Sequence, residues 1–290
     1  MRALRETSNP FADLHHAGTP LLLPNAWDHA TAMAMARKGF RAIGTTSLAV
    51  AAAVGLPDGA SATRDETLRL ALILGSQPFL LSVDAESGFS EDPDEVGEFA
   101  RQLEAVGAVG INLEDALGPV DRHAAKIAAV KAAAPGLFVN ARTDTYWLGE
   151  RGEGGERGER GKHGERGERG ERGERGERGT AETLSRLDAY QQAGADGVFV
   201  PGLTDAAEVT ALVARLDVPL NILYSPTGPT VPQLGDLGVS RISLGSFLYR
   251  RAMGAALDAL DEIREGHRPG GRTPTYEDIQ RIGADAPRHA

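Results

Sequence analysis

Eight short runs of β-branched or leucine-rich residues recur along this 290-residue chain, each ending in polar residues and followed by an alanine-rich amphipathic stretch. The runs are Leu21–Leu23, Ala42–Thr45, Phe79–Val83, Gly110–Leu113, Leu137–Asn140, Gly197–Val200, Leu220–Leu223 and Arg241–Leu244. Helical periodicity falls between them, over Ala30–Lys38, Arg64–Leu74, Pro93–Val106, Ala124–Ala134, Ala181–Ala193, Ala206–Leu216 and Val231–Leu237. A longer helix is predicted over Ser246–Glu265 and a short one over Tyr276–Ile282. Strands that alternate with helices pair in parallel through right-handed crossovers. Eight of them predict an α/β protein closed into a (β/α)8 TIM barrel, a single domain over residues 1–290.

Glycines at 39, 107, 194 and 238 each follow a helix and precede an apolar residue. Glycine there supplies the left-handed turn that ends a helix and lets the next strand start at once. One segment breaks the pattern. From Gly155 to Gly179 glycine stands at every third position, mostly as Gly-Glu-Arg. Without apolar residues or proline it builds neither a core nor a collagen helix. Residues 150–180 are therefore expected to be a disordered, solvated low-complexity insertion between the fifth and sixth strands.

The formal net charge is −10, which excludes a general nucleic-acid binder, since displacing counterions from phosphates takes a basic surface. An anionic substrate stays possible, because a site can be locally positive within an acidic protein. The chain has no cysteine. That removes disulfides, thiolate metal sites and a cysteine nucleophile, and suits a reducing cytosol. The amino-terminal residues are polar, and no apolar run approaches the ~20 residues that span a bilayer. A cytoplasmic location with no membrane partner is the expectation.

A barrel of this class carries its active site at the carboxyl ends of its strands. Strand three ends in Asp84-Ala85-Glu86, strand four in Asn112-Leu113-Glu114-Asp115 and strand five in Asn140-Ala141-Arg142-Thr143-Asp144. Asp84, Glu86 and Glu114 thus converge on one mouth, where like charges need a cation or a shared proton to coexist. Oxygen ligands without His or Cys select a hard ion, and so few carboxylates favour Mg²⁺ with its retained waters. The competing role for each acid is to cap the following helix. Arg142 beside such a metal would hold a substrate carboxylate through paired hydrogen bonds, or form a salt bridge to Asp144 or Glu114. Thr45, Thr46 and Ser47 offer hydroxyl and N–H donors at the end of strand two, and short polar residues are also ordinary turn formers. Among seven histidines only His123 lies near enough to suggest acid–base work, and it is expected to face solvent at a helix start.

Taken together these residues resemble the isocitrate lyase and phosphoenolpyruvate mutase superfamily. Pro24-Asn25-Ala26-Trp27-Asp28, Gly44-Thr45-Thr46-Ser47, Gly55-Leu56-Pro57-Asp58-Gly59 and Asp84-Ala85-Glu86-Ser87-Gly88-Phe89 carry the likeness, with Asn112-Leu113-Glu114-Asp115 and Asn140-Ala141-Arg142-Thr143-Asp144. The resemblance implies Mg²⁺ anchored by Asp84, with Asp58, Glu86 and Glu114 mainly gripping its waters. It implies that Arg142, Thr46, Ser47 and Asn112 bind a small 2-oxo or 2-hydroxy acid, whose carbon–carbon bond is cleaved through an enolate-like species. A homo-oligomer, dimer or tetramer, with a swapped last helix is implied too. One stretch departs from the family. Where its lyases carry a Lys-Cys-Gly-His type loop, this chain reads Ala116-Leu117-Gly118-Pro119-Val120-Asp121-Arg122-His123. That favours decarboxylation or hydrolytic cleavage of an oxaloacetate-like acid over isocitrate cleavage. The alternatives are carbon–phosphorus chemistry of the phosphonopyruvate type, or a non-catalytic barrel that keeps only the oxo-acid pocket.

Overall fold

The structure is a computed structural model that describes residues 9–148 and 169–284. Along the chain run α1 (Pro10–Leu14), β1 (Leu21–Leu23), β2 (Asn25–Ala26), α2 (His29–Arg37), β3 (Ala42–Thr45), α3 (Ser47–Val54) and α4 (Arg64–Leu74). They are followed by β4 (Leu80–Asp84), α5 (Pro93–Ala105), β5 (Ala108–Glu114), α6 (Val120–Ala133), β6 (Phe138–Arg142) and α7 (Arg169–Gln192). The chain continues through β7 (Gly197–Val200), α8 (Ala206–Val213), β8 (Leu220–Leu223), α9 (Val231–Asp236), β9 (Arg241–Ser243), α10 (Phe247–Arg264) and α11 (Tyr276–Ala284).

The nine strands among the described residues all pair in parallel, in the order β1-β9-β8-β7-β6-β5-β4-β3-β2. The two ends of that order, β1 and β2, are separated in the chain by Pro24 alone. β1 pairs with β9 and β2 with β3, so the sheet comes round upon itself as a nearly closed barrel. Nine strands stand where eight were predicted because the first is split in two. Proline has no N–H for the ladder, so a strand that must change partners changes them there. The Pro24 carbonyl still accepts from Gly44 N–H at 2.8 Å.

The predicted helices are present, and the four glycines that reverse the chain after them all have positive φ, from 86° to 101°. Two helices were not foreseen. α3 starts directly at Ser47, where only a polar strand end was expected. α1 is too short for a periodic signal, yet its Phe11 is fully buried beneath the barrel with Leu23, Ala42 and Phe138. Gly110 makes room for that ring: a Cβ there would sit 2.7 Å from Phe11 Cε1. Asn9 fixes the plug by accepting from Phe11 N–H (2.8 Å) and donating to the carbonyls of Val109 (3.1 Å) and Gly136 (2.8 Å). A larger core of Val, Leu and Ala side chains fills the layer between sheet and helices.

The insertion predicted over 150–180 falls mostly on residues outside the described ones, and α7 is under way from Arg169. Among the described residues no helix is long and apolar enough to cross a membrane.

Candidate functional site

Strand register decides what meets at the barrel's mouth. Asp84 pairs with Asn112 and Asn112 with Asn140, while one step further on Glu114 pairs with Arg142 and Arg142 with Phe199. These strand ends, with the loops beyond them, surround a cavity of about 340 Å³. That is room for a small carboxylic acid rather than a cofactor of nucleotide size. Asp58, Asp84, Glu114, Arg142, Thr46, Ser47 and Asn112 all line it, joined by Asn25, Asp144, Trp147, Phe199 and Ser243. Glu86 does not.

Asp84 is held from two sides. Its N–H donates to Thr45 Oγ1 at 2.8 Å, and its Oδ2 accepts from Ser47 N–H at 3.1 Å. That N–H belongs to the first turn of α3, whose positive end suits an anion. Ser47 N–H is thus engaged by Asp84, while its side chain bonds Asp58. Thr46 is the N-cap residue of α3, but its side chain makes no capping bond. Burial raises the Asp58 carboxyl above its ordinary value, and Asp84 adds to the rise.

Glu86 has φ of 47° and turns away from the mouth. Its carboxylate accepts from Ser61 N–H (2.9 Å) and Thr63 Oγ1–H (2.6 Å), which ties down the loop that carries Asp58. The side chain is buried, and burial raises its pKa.

Arg142 stands between two acids. Nη1 meets Glu114 at 2.7 Å, while Nε and Nη2 meet Asp144 Oδ1 at 2.7 and 2.6 Å. Both salt bridges open to it from sequence are therefore formed. Five N–H donors exceed these contacts, so the guanidinium keeps donors for the cavity that it lines. Burial opposes the charge of Arg142, but Glu114, Asp144 and Asp84 hold its pKa raised. Burial pushes Glu114 up to about 8 against the pull of Arg142, and Asp84, Asp144 and Glu86 add to the rise.

Sequence reasoning missed two supports of this site. Asn25 donates from Nδ2 to the Thr45 carbonyl (2.7 Å) and accepts on Oδ1 from Leu244 N–H (3.0 Å) and Gly245 N–H (2.8 Å), closing the seam between β2, β3 and β9. The motif Pro24–Asp28 marked the residue without giving its partners. Asp115 is the second. It accepts from Leu117 N–H (3.0 Å), Asp144 N–H (3.1 Å), Thr143 Oγ1–H (2.8 Å), Arg186 Nη1 (3.1 Å) and Tyr190 O–H (2.7 Å). Burial pushes its pKa up, but these hydrogen bonds win and hold it low.

Ala116 and Leu117, with φ of 44° and 57°, make the turn after β5. Left-handed residues other than glycine cost about 1 kcal/mol or more each, and Asp115 is what holds them. His123 corrects an expectation: instead of facing solvent it is 3% exposed, with its ring 4.6 Å from that of Tyr190. α6 turns it inward, under the tight turn, and burial lowers its pKa to about 4.

The described residues that line the cavity include no Lys, His, Cys or Tyr. Among the described residues no three His, Asp or Glu side chains are arranged as a metal cage. Yet four carboxylates (Asp58, Asp84, Glu114 and Asp144) face one guanidinium, an imbalance that a cation relieves. A hard divalent ion that keeps most of its waters needs only one or two protein oxygens. The donor set fits Mg²⁺.

A family model described as phosphoenolpyruvate phosphomutase matches residues 11–264. An uncharacterised protein of Mycobacterium tuberculosis is 39% identical over 274 residues, which cover 93% of this chain and 94% of that one. A 2-methylisocitrate lyase of Bacillus subtilis is 28% identical over 239 residues, 78% of this chain and 69% of the lyase. Among solved structures, phosphonopyruvate hydrolase in complex with oxalate and Mg²⁺ shares the fold, with a TM-score of 0.74, 21% identity and coverage of 95% of this chain and 94% of that one. The chain belongs to the phosphoenolpyruvate phosphomutase family, and with it to the isocitrate lyase/PEP mutase superfamily of enzymes, which includes lyases and mutases.

Proposed function

We propose that this protein is a Mg²⁺-dependent lyase, most simply a decarboxylase, of a small 2-oxo acid or the related 2-hydroxy acid. One observation carries the reading. Carboxylates that suit a divalent ion share a small cavity with Arg142, and no Lys, His, Cys or Tyr lines it among the described residues. Splitting a 2-hydroxy acid needs a base to take the hydroxyl proton. Loss of CO₂ from an oxaloacetate-like acid does not, because the departing carboxylate leaves its electron pair on the neighbouring carbon, and the enolate so formed then takes a proton from solvent to give pyruvate. Carboxylates are the only acid–base side chains that line the cavity among the described residues, and with a metal and Arg142 engaging them a reaction that needs no base suits the site better.

Asp84 would hold the metal, with Asp58 and Glu114 on its waters, and Glu86 would act one step out by fixing the Asp58 loop. Mg²⁺ bound there supplies Lewis-acid stabilisation for negative charge that develops on the substrate's 2-oxygen. Arg142, oriented by Glu114 and Asp144, holds the substrate carboxylate and offsets the same charge. Thr46 and Asn112 donate to the remaining oxygens. The turn after β5, braced by Asp115, sets one wall instead of closing as a catalytic loop. The oxalate and Mg²⁺ held by the phosphonopyruvate hydrolase support the ligand class. Carbon–phosphorus cleavage is the alternative within the same site, in a cytoplasmic setting that a cysteine-free chain suits.

The test is turnover of oxaloacetate, phosphonopyruvate, 2-methylisocitrate and dimethylmalate, with Mg²⁺ and with chelator, followed by pyruvate release. Chelator-sensitive pyruvate from oxaloacetate is expected. Asp84→Ala should lose activity by about 10³-fold or more together with metal binding. Full activity in that variant would sink the metal assignment, and oxalate binding without turnover of any substrate would leave only a binding protein.

A further inference from the structure

Directly beneath the cavity floor the barrel interior is polar, where such barrels are usually filled by branched aliphatic side chains. Asn112, Asn140, Asn221, Ser243 and Arg241 occupy it, all buried. Arg241 is the anomaly. It opens β9 opposite Leu21 and Asn221, is 1% exposed, and has no carboxylate partner among the described residues. Its Nε donates to Ser243 Oγ at 3.1 Å and its Nη2 to Asn112 Oδ1 at 3.1 Å, the guanidinium lies 5.8 Å from the centre of the Phe11 ring, and Nη1 has no partner. A buried charge with no salt bridge, relieved only by the charge of Asp84 from a distance, is costly, and a Met or Leu would fill the space at less cost.

What the guanidinium does to Asn112 follows from donor chemistry. An asparagine amide can turn over, exchanging its oxygen for its nitrogen, unless a neighbour accepts only one orientation. Asn140 is itself an amide and could turn with it. Arg241 cannot, because a guanidinium only donates. Asn112 Oδ1 accepts from both Arg241 Nη2 and Asn140 Nδ2 (2.9 Å), so it faces down into the barrel. Its Nδ2 is then left to face the cavity that Asn112 lines.

We propose that Arg241 is a positioning residue that locks the Asn112 amide with its NH₂ toward the cavity, so that the floor donates to a substrate oxygen. This rests on the oxo-acid reading of the site and deepens it. The floor selects a carboxylate or carbonyl oxygen that accepts there, and Asn112 is no metal ligand, since an amide nitrogen offers no lone pair to Mg²⁺.

The test is calorimetric titration of the full chain with oxalate in Mg²⁺, together with Mn²⁺ binding in the absence of oxalate read by electron paramagnetic resonance. Arg241→Met should weaken oxalate binding by about tenfold or more, the loss expected when a donor to a charged oxygen is no longer held in place. Arg241→Lys, which still can only donate, should restore most of it. Mn²⁺ affinity should hold in Arg241→Lys and hold or rise in Arg241→Met, which removes a positive charge that acts on Asp84. Arg241→Met alters a core side chain of the barrel, so Asn112→Asp is the second arm. It places an acceptor at the floor and an ion pair with Arg241, so oxalate binding should vanish while the melting temperature holds or rises. Wild-type oxalate affinity in Arg241→Met or in Asn112→Asp would overturn the proposal alone. Parallel loss of Mn²⁺ and oxalate would overturn it in favour of general damage. No oxalate binding by the wild type would overturn the oxo-acid reading and this inference together.

Discussion

Single residues here are placed by what surrounds them more than by what they are. Asp84, Glu86 and Glu114 are three acids at neighbouring strand ends, yet only two face the cavity, because a left-handed backbone turns Glu86 back toward Ser61 and Thr63. His15 shows the same effect on a titrating group. It stacks on Phe138 with ring centres 4.3 Å apart and bonds the Phe11 carbonyl through Nδ1 at 2.8 Å. Burial, with help from the charge of Arg241, lowers its pKa from 6.5 to about 3. Between those values the unfolded chain binds a proton that the folded chain does not. His15 therefore contributes stability that is complete above pH 6.5 and lost as the pH falls toward 3, at no more than ~1.4 kcal/mol per pH unit. His15→Asn, which can keep the carbonyl bond, should flatten the fall in melting temperature between pH 6.5 and 4. Parallel slopes for variant and wild type would show that His15 does not titrate this way.

At the scale of elements, the turn from β5 into α6 is held by a long-range brace. Arg186 and Tyr190 on α7 reach Asp115 from 71 and 75 residues away, and Arg186 also binds the Gly118 carbonyl at 3.0 Å. Removing the carboxylate charge leaves Arg186 with only the exposed Glu182 as counter-charge among the described residues and weakens five hydrogen bonds at once, which costs about 2 kcal/mol. Asp115→Asn is predicted to lose about that much in urea unfolding and to lower activity as well, because Asp144 N–H hangs on the same carboxylate. Unfolding at the wild-type midpoint would show that the brace contributes nothing. Gly44 makes a matching point at the seam: a Cβ would sit 2.7 Å from Asn25 Nδ2. Gly44→Ala should therefore break the Asn25 stitch and cost both stability and activity, and a variant that melts and works like the wild type would refute that role.

Across the whole molecule, α10 is out of keeping with the rest. None of its residues is buried, and Met253, Leu257, Leu260 and Ile263 are 47% to 62% exposed along a helical repeat. We propose that this stripe is the interface of the homo-oligomer that the superfamily resemblance implies, since exposed apolar stripes of this kind serve as interaction surfaces. Leu257→Glu with Leu260→Glu is predicted to shift sedimentation from a dimer or tetramer to a monomer. A wild-type protein that sediments as a monomer would end the oligomer proposal.

The sequence by itself determined what is local. Alternating apolar runs specified parallel strands and helices, glycines after helices specified left-handed turns, and acids at strand ends specified a charged mouth. Each of these signals lies within about twenty residues of chain, within reach of backbone periodicity and sterics. Helices α1 and α3 escaped because one is too short and the other begins with no intervening turn. Partner choice was decided only by the tertiary structure. Asn25 bonds Leu244 across 219 positions and Arg241 bonds Asn112 across 129. The first pair exists because the nearly closed barrel brings its first and last strands together, and the second because inward side chains of β5 and β9 meet across one narrow interior. A polar side chain carries its donors and acceptors in its formula, but which neighbour they meet is settled when the sheet closes.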